Sequence, residues 1–362
     1  MYGKLFHFTL NKMLPINFQT NVLAWYDQHG RKDLPWQQKK TPYRIWVSEI
    51  MLQQTQVSTV IPYFLRFMER FPDVRTLADA NDDEVLHLWT GLGYYSRARN
   101  LLKTAKLIVN TYEGLFPSEQ SSLEALPGIG RSTAGAIRAI AFGERAAILD
   151  GNVKRVLTRF QGIQEWPGEK AIQAQLWTLA ETYTPATRVA DYTQTMMDLG
   201  ATVCVRGQPH CERCPLKDNC SAHALGIAKN LPRPKPRKIL PVRQANFLIL
   251  QKDHSVLLMK RPPTGIWGGL WSLPELSGNP SLDEMRRHCA HQFSCEPEQI
   301  HLGDCFRHTF SHFHLDITPI FIVVKKVKSK IMEDGEQIWY NLREPSILGL
   351  PAPIKSLLSK LL

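Results

Sequence analysis

The stretch CVRGQPHCERCPLKDNC, residues 204–220, places four cysteines in the pattern C-x6-C-x2-C-x5-C. Four thiolates this close in sequence can surround one metal centre. Zinc usually takes two closely spaced cysteine pairs, and here only Cys211 and Cys214 form one. The spacing therefore predicts a tetrathiolate site and leaves zinc and an iron–sulfur cluster both open. The other three cysteines, which have no ligand spacing and are expected to be inert, are Cys289, Cys295 and Cys305.

The chain is long and basic. Its 362 residues predict two domains, because single cores stop growing at roughly 250–300 residues. There are 44 Lys and Arg against 33 Asp and Glu, a formal net charge of +11. This excess makes nucleic acid the leading partner class, although a merely basic protein without such a partner remains an alternative.

The cysteines and the hydrophobic pattern also indicate a compartment. Seven cysteines, four of them clustered, do not resemble the evenly paired framework of a small secreted protein. The first 14 residues lack the apolar core of a signal peptide, and Met13 is a plausible alternative start. We find no apolar run of about 20 residues, so we expect a cytoplasmic protein with no membrane partner.

Three regions follow one another along the sequence. Residues 14–225 show recurrent helical periodicity, with Gly143 and Gly200 where helices could end. Residues 226–243 hold six basic residues and four prolines and no acidic residue, which predicts an extended linker, either solvated or following a phosphate backbone. Residues 244–362 predict an α+β domain, with strands at 246–250, 256–259 and 315–324 and a helix at 282–292.

The segment LPGIGRSTA, residues 126–134, predicts a helix–hairpin–helix over about 121–141. Gly128 and Gly130 let the backbone approach a ligand closely, and the following helix N-terminus offers free N–H groups to a phosphate. Ser121 and Glu124 have the spacing of a capping box for the preceding helix. DNA backbone binding is the functional interpretation, and a plain turn between helices is the alternative.

Two carboxylates have positions that suit chemistry. Asp150 precedes a helical pattern, and on its own it is best explained as an N-cap that stays ionised. Glu49 lies in an apolar helical stretch next to Ile50 and Met51, where burial would raise its pKa. A buried, paired structural Glu is a comparable alternative.

The order of these motifs resembles the endonuclease III superfamily of DNA glycosylases, which joins a helix–hairpin–helix, a downstream catalytic Asp and a [4Fe–4S] loop of this spacing. The resemblance implies that Cys204, Cys211, Cys214 and Cys220 hold a [4Fe–4S] cluster with a structural role. Bifunctional relatives carry a Lys where this chain has Ser132. Because a hydroxyl forms no Schiff base, strand-cleaving lyase chemistry is not expected.

A narrower resemblance is to MutY-type adenine DNA glycosylases. It rests on Ser132 and on the segments TPYRIWVSEIMLQQTQ (residues 41–56), GLGYY (91–95) and LDGNVKR (149–155). It implies that a flipped adenine is protonated at N7 by Glu49, that Asp150 stabilises the oxocarbenium ion at the sugar, and that Glu49 then activates water. Asn152 and Ser132 are implied to support Asp150 and the sugar.

The same resemblance assigns further contacts. Tyr94 is implied to be a wedge in the duplex, Gln54 a plug for the gap left by the flipped base, and Thr55 and Leu92 contacts to the opposite base. For Tyr94 and Trp36 the alternative is core packing. The residues implied to line the adenine pocket are Trp36, Gln37, Leu52 and Gln194.

Residues 244–362 resemble the Nudix-like domain of this family, through RPPTGIWGGLW at 261–271. A working Nudix hydrolase needs a helix of Mg²⁺-binding carboxylates, and none follows Gly269, so 8-oxoguanine recognition is expected instead of hydrolysis. Phe310, Ser311 and His312 match the recognition loop. His312, His314 and Asp316 alternate along a predicted strand, which is more typical of a polar surface than of a metal site.

The sequence therefore predicts an all-α helix–hairpin–helix glycosylase domain plus an α+β Nudix-like domain. The expected enzyme is a monofunctional adenine glycosylase, a monomer acting on double-stranded DNA with A:8-oxoguanine or A:G mispairs at a bacterial nucleoid. Three alternatives are a bifunctional glycosylase/lyase, a mismatch-binding protein without catalysis, and a nucleotide hydrolase. The first is disfavoured by Ser132 and the second by the presence of both Glu49 and Asp150. The third is disfavoured by the missing carboxylate helix.

Overall fold

The computed structural model describes residues 13–236, 239–327 and 336–361. They form two compact units. Unit 1 comprises Met1–Ala78 and Lys103–Arg237, and unit 2 comprises Asp79–Leu102 and Lys238–Leu362. The first twelve residues, with the candidate start Met1, and linker positions 237 and 238 lie outside the described residues.

Helices dominate the chain before the linker, and most strands follow it. The helices are α1 (Pro15–His29), α2 (Pro42–Leu52), α3 (Val57–Arg70), α4 (Val74–Ala78), α5 (Asp82–Trp89), α6 (Ser96–Tyr112), α7 (Gln120–Glu124), α8 (Arg131–Ile137), α9 (Gly151–Gln161), α10 (Lys170–Tyr183), α11 (Val189–Asp198), α12 (Ser221–Ala224), α13 (Leu282–Phe293) and α14 (Ala352–Leu358). Within the described ranges, no helix is both long and apolar enough to cross a bilayer.

Side-chain caps set several helix starts. Thr41 accepts a hydrogen bond from the Arg44 N–H before α2, and Asn81 accepts one from the Glu84 N–H before α5. The predicted capping box at Ser121 is wrong. Helix α7 begins at Gln120, and the carbonyl of Glu119 accepts the Leu123 N–H, which puts Ser121 inside the first turn, where it cannot cap.

Unit 1 is held together by buried aromatic side chains. Trp46, Phe64 and Phe67 are completely buried. Phe18 stacks on Tyr183 with ring centroids 4.3 Å apart, which joins α1 to α10. This core holds α2 in place, and α2 carries the half-buried Glu49.

Unit 2 contains a mixed sheet of order β3-β2-β1-β7-β5. Strands β1 and β7 run parallel over Val242↔His314 to Gln251↔Val323. Helix α13 packs on one face through Met285 and Phe293, which meet strand residues such as Leu248 and Ile320 in one core. The strands are β1 (Val242–Lys252), β2 (Ser255–Lys260), β3 (Trp271–Ser272), β4 (Glu275–Leu276), β5 (Cys295–Leu302), β6 (Phe306–Thr309), β7 (His314–Val327) and β8 (Gln337–Asn341).

The predicted linker is partly structured. Residues Ala228–Asn230 form a 3-10 turn, and Ala228 and Leu231 pack with Ala222 in a small apolar cluster. At the other end, β1 already begins at Val242. The difference arises because Ala228 and Leu231, which precede the prolines, are buried, whereas residues 233–236 are exposed, as expected of a linker.

Candidate active site and cysteine loop

Helix α2 carries Glu49 among buried neighbours. Ser48, Ile50 and Met51 are buried, whereas Glu49 keeps partial solvent access. Burial raises the pKa of the Glu49 carboxyl to about 8, and the nearby charge of Asp150 raises it further in the same direction. Glu49 is therefore mostly protonated at neutral pH and can donate a proton to a group that enters the opening.

Asp150 is the N-cap of α9, as the sequence predicts. Its Oδ1 accepts hydrogen bonds from the N–H groups of Asn152 at 3.0 Å and Val153 at 2.8 Å, and its Oδ2 accepts one from Asn152 Nδ2 at 3.0 Å. Burial raises the pKa of Asp150, and these three hydrogen bonds oppose the rise by stabilising the carboxylate. The helix N-terminus thus holds the carboxylate in one orientation.

The turn before Asp150 is fixed by Ser132. The Oγ of Ser132 accepts a hydrogen bond from the Leu149 N–H at 3.0 Å. This bond ties the first turn of α8 to the residue before the N-cap of α9. Ser132 therefore lies next to Asp150, at the place where its hydroxyl can support the site.

A close helix contact holds the other side of the α9 N-terminus. Gly200 lies inside a π-helical turn, Leu199–Val203, where a side chain would overlap Asn152. The prediction that Gly200 ends a helix is therefore wrong. Gly143, by contrast, ends its helix in the left-handed conformation with φ 70°.

Helix α9 connects the carboxylate to the cysteine loop. Arg155 donates hydrogen bonds to Asn152 Oδ1 at 2.8 Å and to the Cys204 carbonyl at 2.7 Å. One turn on, Arg159 donates to the Cys204 carbonyl at 3.1 Å and to its sulfur at 3.3 Å. A continuous chain of contacts therefore runs from Asp150 through Asn152 and Arg155 to the first cysteine.

The four clustered cysteines line one small cavity with Arg159 and apolar side chains of α9. Burial raises the pKa of the Cys214 thiol to about 12, so its thiolate needs a positive partner. Across the described ranges, no three His, Cys, Asp or Glu side chains stand in an arrangement that could hold a metal ion. The residues that share this cavity are Cys204, Cys211, Cys214 and Cys220.

The four residues predicted for the adenine pocket differ in exposure. Trp36 and Gln37 are buried, and Trp36 packs edge-on against Phe64. Gln194 is buried on α11, and its Nε2 donates to Asp198 Oδ1 at 2.7 Å. Asp198 is itself held by Arg31, so the orientation of the Gln194 amide is fixed. Leu52 ends α2 and is half-buried.

The predicted DNA contacts include strained backbone positions. Gln54 is exposed with φ 58° and is followed by the half-buried Thr55. Tyr94 is 45% exposed with φ 48°, whereas Leu92 beneath it is buried. In the hairpin before α8, Gly128 has φ 80°, and Gly130 is the extended N-cap. Non-glycine residues with positive φ are uncommon and often mark functional sites.

In unit 2, Ser311 and His312 are exposed at the tip of a loop between β6 and β7. Phe310 anchors this loop by stacking on the buried Phe313 at 4.5 Å and by contacting Trp267 at 5.7 Å. A metal site nearby has no support, because Arg307 forms a two-point ion pair with Asp316 and Thr309 hydrogen-bonds His314.

The sequence analysis missed three residues that hold the site in place: Arg155, Arg159 and Asp198. A signal was available for the two arginines, since they lie four residues apart on one face of a predicted helix. Asp198 offered none, because an isolated carboxylate in a helical pattern is usually solvated.

The helix–hairpin–helix and the four-cysteine loop are the features by which the sequence resembles base-excision DNA glycosylases, and comparison with known proteins shows this class. The HhH-GPD superfamily of base excision DNA repair proteins matches residues 47–182, and a NUDIX domain matches residues 245–360. The chain belongs to the adenine DNA glycosylase family. It is 41% identical over 351 residues to an adenine DNA glycosylase of Buchnera aphidicola subsp. Baizongia pistaciae, covering 96% of this chain and 98% of the relative.

Relatives of lower sequence identity and solved structures also match this chain. An adenine DNA glycosylase of Homo sapiens is 34% identical, covering 82% of this chain and 65% of the relative. Among solved structures, a thermostable thymine-DNA glycosylase is 28% identical with TM-score 0.54, covering 58% of this chain and 97% of that one. An endonuclease III in a complex with DNA shares the fold, with TM-score 0.50 at 21% identity over 59% of this chain and 99% of that one.

Proposed function

We propose that this adenine DNA glycosylase is monofunctional and removes adenine opposite 8-oxoguanine, or opposite G, in double-stranded DNA, leaving an abasic site. The observation that carries the proposal is the pair of Glu49, whose pKa is raised to about 8, and Asp150, whose carboxylate accepts three hydrogen bonds. We infer that it acts as a monomer on nucleoid DNA in a bacterial cytoplasm, in keeping with its bacterial relatives.

The two carboxyl groups divide the chemistry. Neutral Glu49 protonates N7 of the extruded adenine, which weakens the glycosidic bond. Asp150 stabilises the positive charge that develops at the sugar, since its orientation is already set by the α9 N-terminus. Glu49, now a carboxylate, takes a proton from water as the water attacks the sugar carbon. The products are free adenine, an abasic site and regenerated neutral Glu49.

Ser132 supports hydrolysis without strand cleavage. A lyase needs an amine at this position to form a Schiff base with the sugar. The Ser132 hydroxyl instead accepts the Leu149 N–H and holds the turn before Asp150. Water is then the nucleophile, and the DNA backbone stays intact until alkali or another enzyme cleaves it.

The proposed reader of 8-oxoguanine is the loop with the exposed Ser311 and His312. Their side chains offer hydrogen-bonding groups to a base edge, and the packed Phe310 holds them in place. Nucleotide hydrolysis by the same domain is disfavoured, because Glu284 is engaged in a capping box with Ser281. The domain therefore contributes recognition.

The four clustered cysteines line one cavity and have the chemistry of [4Fe–4S] ligands, although no three of the described His, Cys, Asp or Glu side chains are arranged to hold a metal ion. Arg159 is 2% exposed and its neighbour Arg155 is 6% exposed, so two positive charges are buried beside Cys204. A buried cation needs a compensating anion, and thiolates bound to iron supply one. When bound, the cluster would brace this loop, and hydrolysis requires no electron from it.

A single-turnover assay tests the function. Duplexes with A opposite 8-oxoguanine, A opposite G and A opposite T are incubated with excess enzyme and analysed with and without alkali. Strand breaks only after alkali, and only for the two mispairs, are expected. Breaks without alkali would establish a lyase, and tight binding without adenine release would establish a recognition protein.

Glu49→Gln tests the chemical assignment. The amide keeps the shape of the side chain but donates no proton to N7, so excision should fall by at least about 10³-fold. Affinity for the mispaired duplex should change by less than about threefold, because the Gln amide can still donate a hydrogen bond to N7. Substantial turnover by Glu49→Gln would refute the assignment.

Analysis of iron and acid-labile sulfide tests the cluster. We expect about four of each per chain in anaerobically purified protein, and a loss of both in Cys214→Ser. Cys305→Ser is the matched control, because this exposed cysteine lies outside the loop. Zinc in place of iron would overturn the cluster assignment.

A further inference from the structure

Helix α5 and the first turns of α6 pack within unit 2, although they fall inside the 47–182 match to the glycosylase superfamily. The loop between them carries Tyr94. The α5–loop–α6 segment is held by contacts from β2, β3 and the residues before α14. These contacts form on both sides of the loop.

Asp83 makes the polar contact at the α5 flank. Its Oδ2 accepts a hydrogen bond from Lys260 Nζ at 3.0 Å, and its Oδ1 accepts one from Trp271 Nε1 at 2.9 Å. Lys260 and Trp271 are opposite each other in the β2–β3 pair. Both oxygens of one carboxylate are thus held by a rigid cross-strand pair, and all three side chains are at least partly buried.

Further contacts flank the same loop. The Leu348 carbonyl lies 3.2 Å from His87 Nδ1, and the Leu350 carbonyl accepts a hydrogen bond from the Tyr95 hydroxyl at 3.2 Å. Arg99 donates to the Gly268 carbonyl.

Gly349 lies so close to α5 that a Cβ there would be 2.6 Å from the Leu86 Cβ. The α5–loop–α6 segment is therefore fixed before and after the loop.

The loop itself is stiff. Arg97 donates to the carbonyls of Leu92 at 3.1 Å and Gly93 at 3.0 Å, and its guanidinium lies 5.6 Å from the Tyr94 ring. Trp89 Nε1 also donates to the Gly93 carbonyl at 3.1 Å. A stiff loop transmits the orientation of its flanking helices to Tyr94, so whatever fixes α5 also fixes the direction of that ring.

We propose that Asp83 is a positioning residue for excision: it locks α5 to the Lys260–Trp271 pair and thereby aims the Tyr94 ring at the duplex. This rests on the wedge role of Tyr94 in the proposed function. The same unit then carries both the Tyr94 loop and the Phe310–His312 loop. Insertion beside the mispair and reading of the oxidised base would then both belong to unit 2.

The test is a double-mutant cycle in the full-length protein. Asp83→Ala, Tyr94→Ala and the double variant are compared by single-turnover excision of A opposite 8-oxoguanine. We expect Asp83→Ala to slow excision about tenfold, which is less than the roughly 10²-fold that a misplacement of about 1 Å can cost. The double variant should match Tyr94→Ala alone, because an unaimed wedge and a missing wedge are equivalent.

A second readout separates positioning from general destabilisation. A 2-aminopurine placed beside the mispair becomes brighter when its stacking is disrupted, so Asp83→Ala bound at saturation should give weaker fluorescence. Trp271→Phe removes only one of the two hydrogen bonds and should give a smaller loss in both assays. Asp27→Ala is the matched control, because it breaks the exposed ion pair with Arg188 in unit 1 and should change neither readout.

The outcomes are distinguishable. If Asp83→Ala and Tyr94→Ala have multiplicative effects on the rate, Asp83 acts elsewhere and the inference is overturned. Unchanged excision and fluorescence in both Asp83→Ala and Trp271→Phe would overturn it as well. If Tyr94→Ala alone has no effect, Tyr94 does not act as a wedge and the inference is overturned. Adenine excision by the parent enzyme is measured in the same assay and tests the proposed function separately. An unfolded Asp83→Ala leaves Trp271→Phe to decide.

Discussion

Glu49 and Asp150 are two carboxyl groups whose pKa values are both raised by burial, but only Asp150 has hydrogen bonds that oppose the rise. Glu49 projects from the middle of an apolar helix, and burial favours its neutral form. Asp150 caps a helix and accepts three hydrogen bonds, which favour its ionised form. The proposed division into proton donor and cation stabiliser is in keeping with where each residue lies in its helix.

The raised pKa of Glu49 has a consequence for stability. Because the folded protein holds this proton up to about pH 8 and an unfolded chain releases it near pH 4.5, folding binds a proton between these values. The stability of the parent should fall with rising pH relative to Glu49→Gln, by about 1 kcal/mol per pH unit in this window and by nothing below it. Urea unfolding from pH 4 to pH 9 measures the difference.

A pH-independent difference between the two proteins would mean that Glu49 ionises normally. Glu165→Gln, at an exposed position, is the matched control and should follow the parent at every pH.

At the residue scale, local sequence patterns predicted the surroundings of Glu49 and Asp150 but not the side chains that hold the site in place. The capping role of Asp150 and the burial around Glu49 could be read from local patterns, and both are confirmed. The long-range contacts of Arg155 with Cys204 and of Asp198 with Arg31 could not be read in this way, because each joins residues that are distant in sequence.

Helix α9 is the element on which the site depends. It caps with Asp150 at one end and reaches the cysteine loop through Arg155 and Arg159. Gly200 allows its N-terminal turn to approach the π-helical turn after α11.

Gly200→Ala should therefore displace the start of α9. The added methyl group overlaps Asn152, which should destabilise the protein by about 1–3 kcal/mol and slow excision by moving Asp150. Thermal unfolding and single-turnover rates measure the two effects. For stability, Gly151→Ala is the control on the same turn, because no atom lies within 4 Å of its added methyl group. Equal stability of Gly200→Ala and the parent would contradict the close contact.

Elements with strong local signals were predicted well. The strands β1, β2 and β7 and the helix α13 contain or match the predicted ranges. The start of α7 was missed because Ser121 and Glu124 have the spacing of a capping box, whereas the N-cap is Glu119, two residues earlier. The placement of α5 in unit 2 has no local signal, since its contacts lie more than a hundred residues away.

At the scale of the whole molecule, the net charge of +11 favours binding to a polyanion. Affinity for undamaged duplex should fall by a factor on the order of 10–10³ between about 50 and about 200 mM salt. We propose that Arg213, at an exposed position in the cysteine loop, contacts a DNA phosphate, so Arg213→Ala should reduce the slope of log K against log salt by about one unit.

Fluorescence anisotropy across the salt series measures this slope. Arg188→Ala is the control of equal charge, because Arg188 is already paired with Asp27 and Asp191 and should leave the slope unchanged. Equal slopes for Arg213→Ala and the parent would place the DNA contact away from the cysteine loop.

Unit 2 is assembled from two pieces of chain that are made at different times. Asp79–Leu102 leaves the ribosome first, and its partner strands follow only after residues 103–237 have been synthesised. At typical rates this interval is roughly 10–30 seconds. For that time Leu86 of α5, which lies against Gly269 and Gly349 in the folded unit, lacks these partners, and it offers an apolar site to a chaperone that binds nascent chains. Synthesis of Lys238–Leu362 therefore determines when Asp79–Leu102 can finish folding.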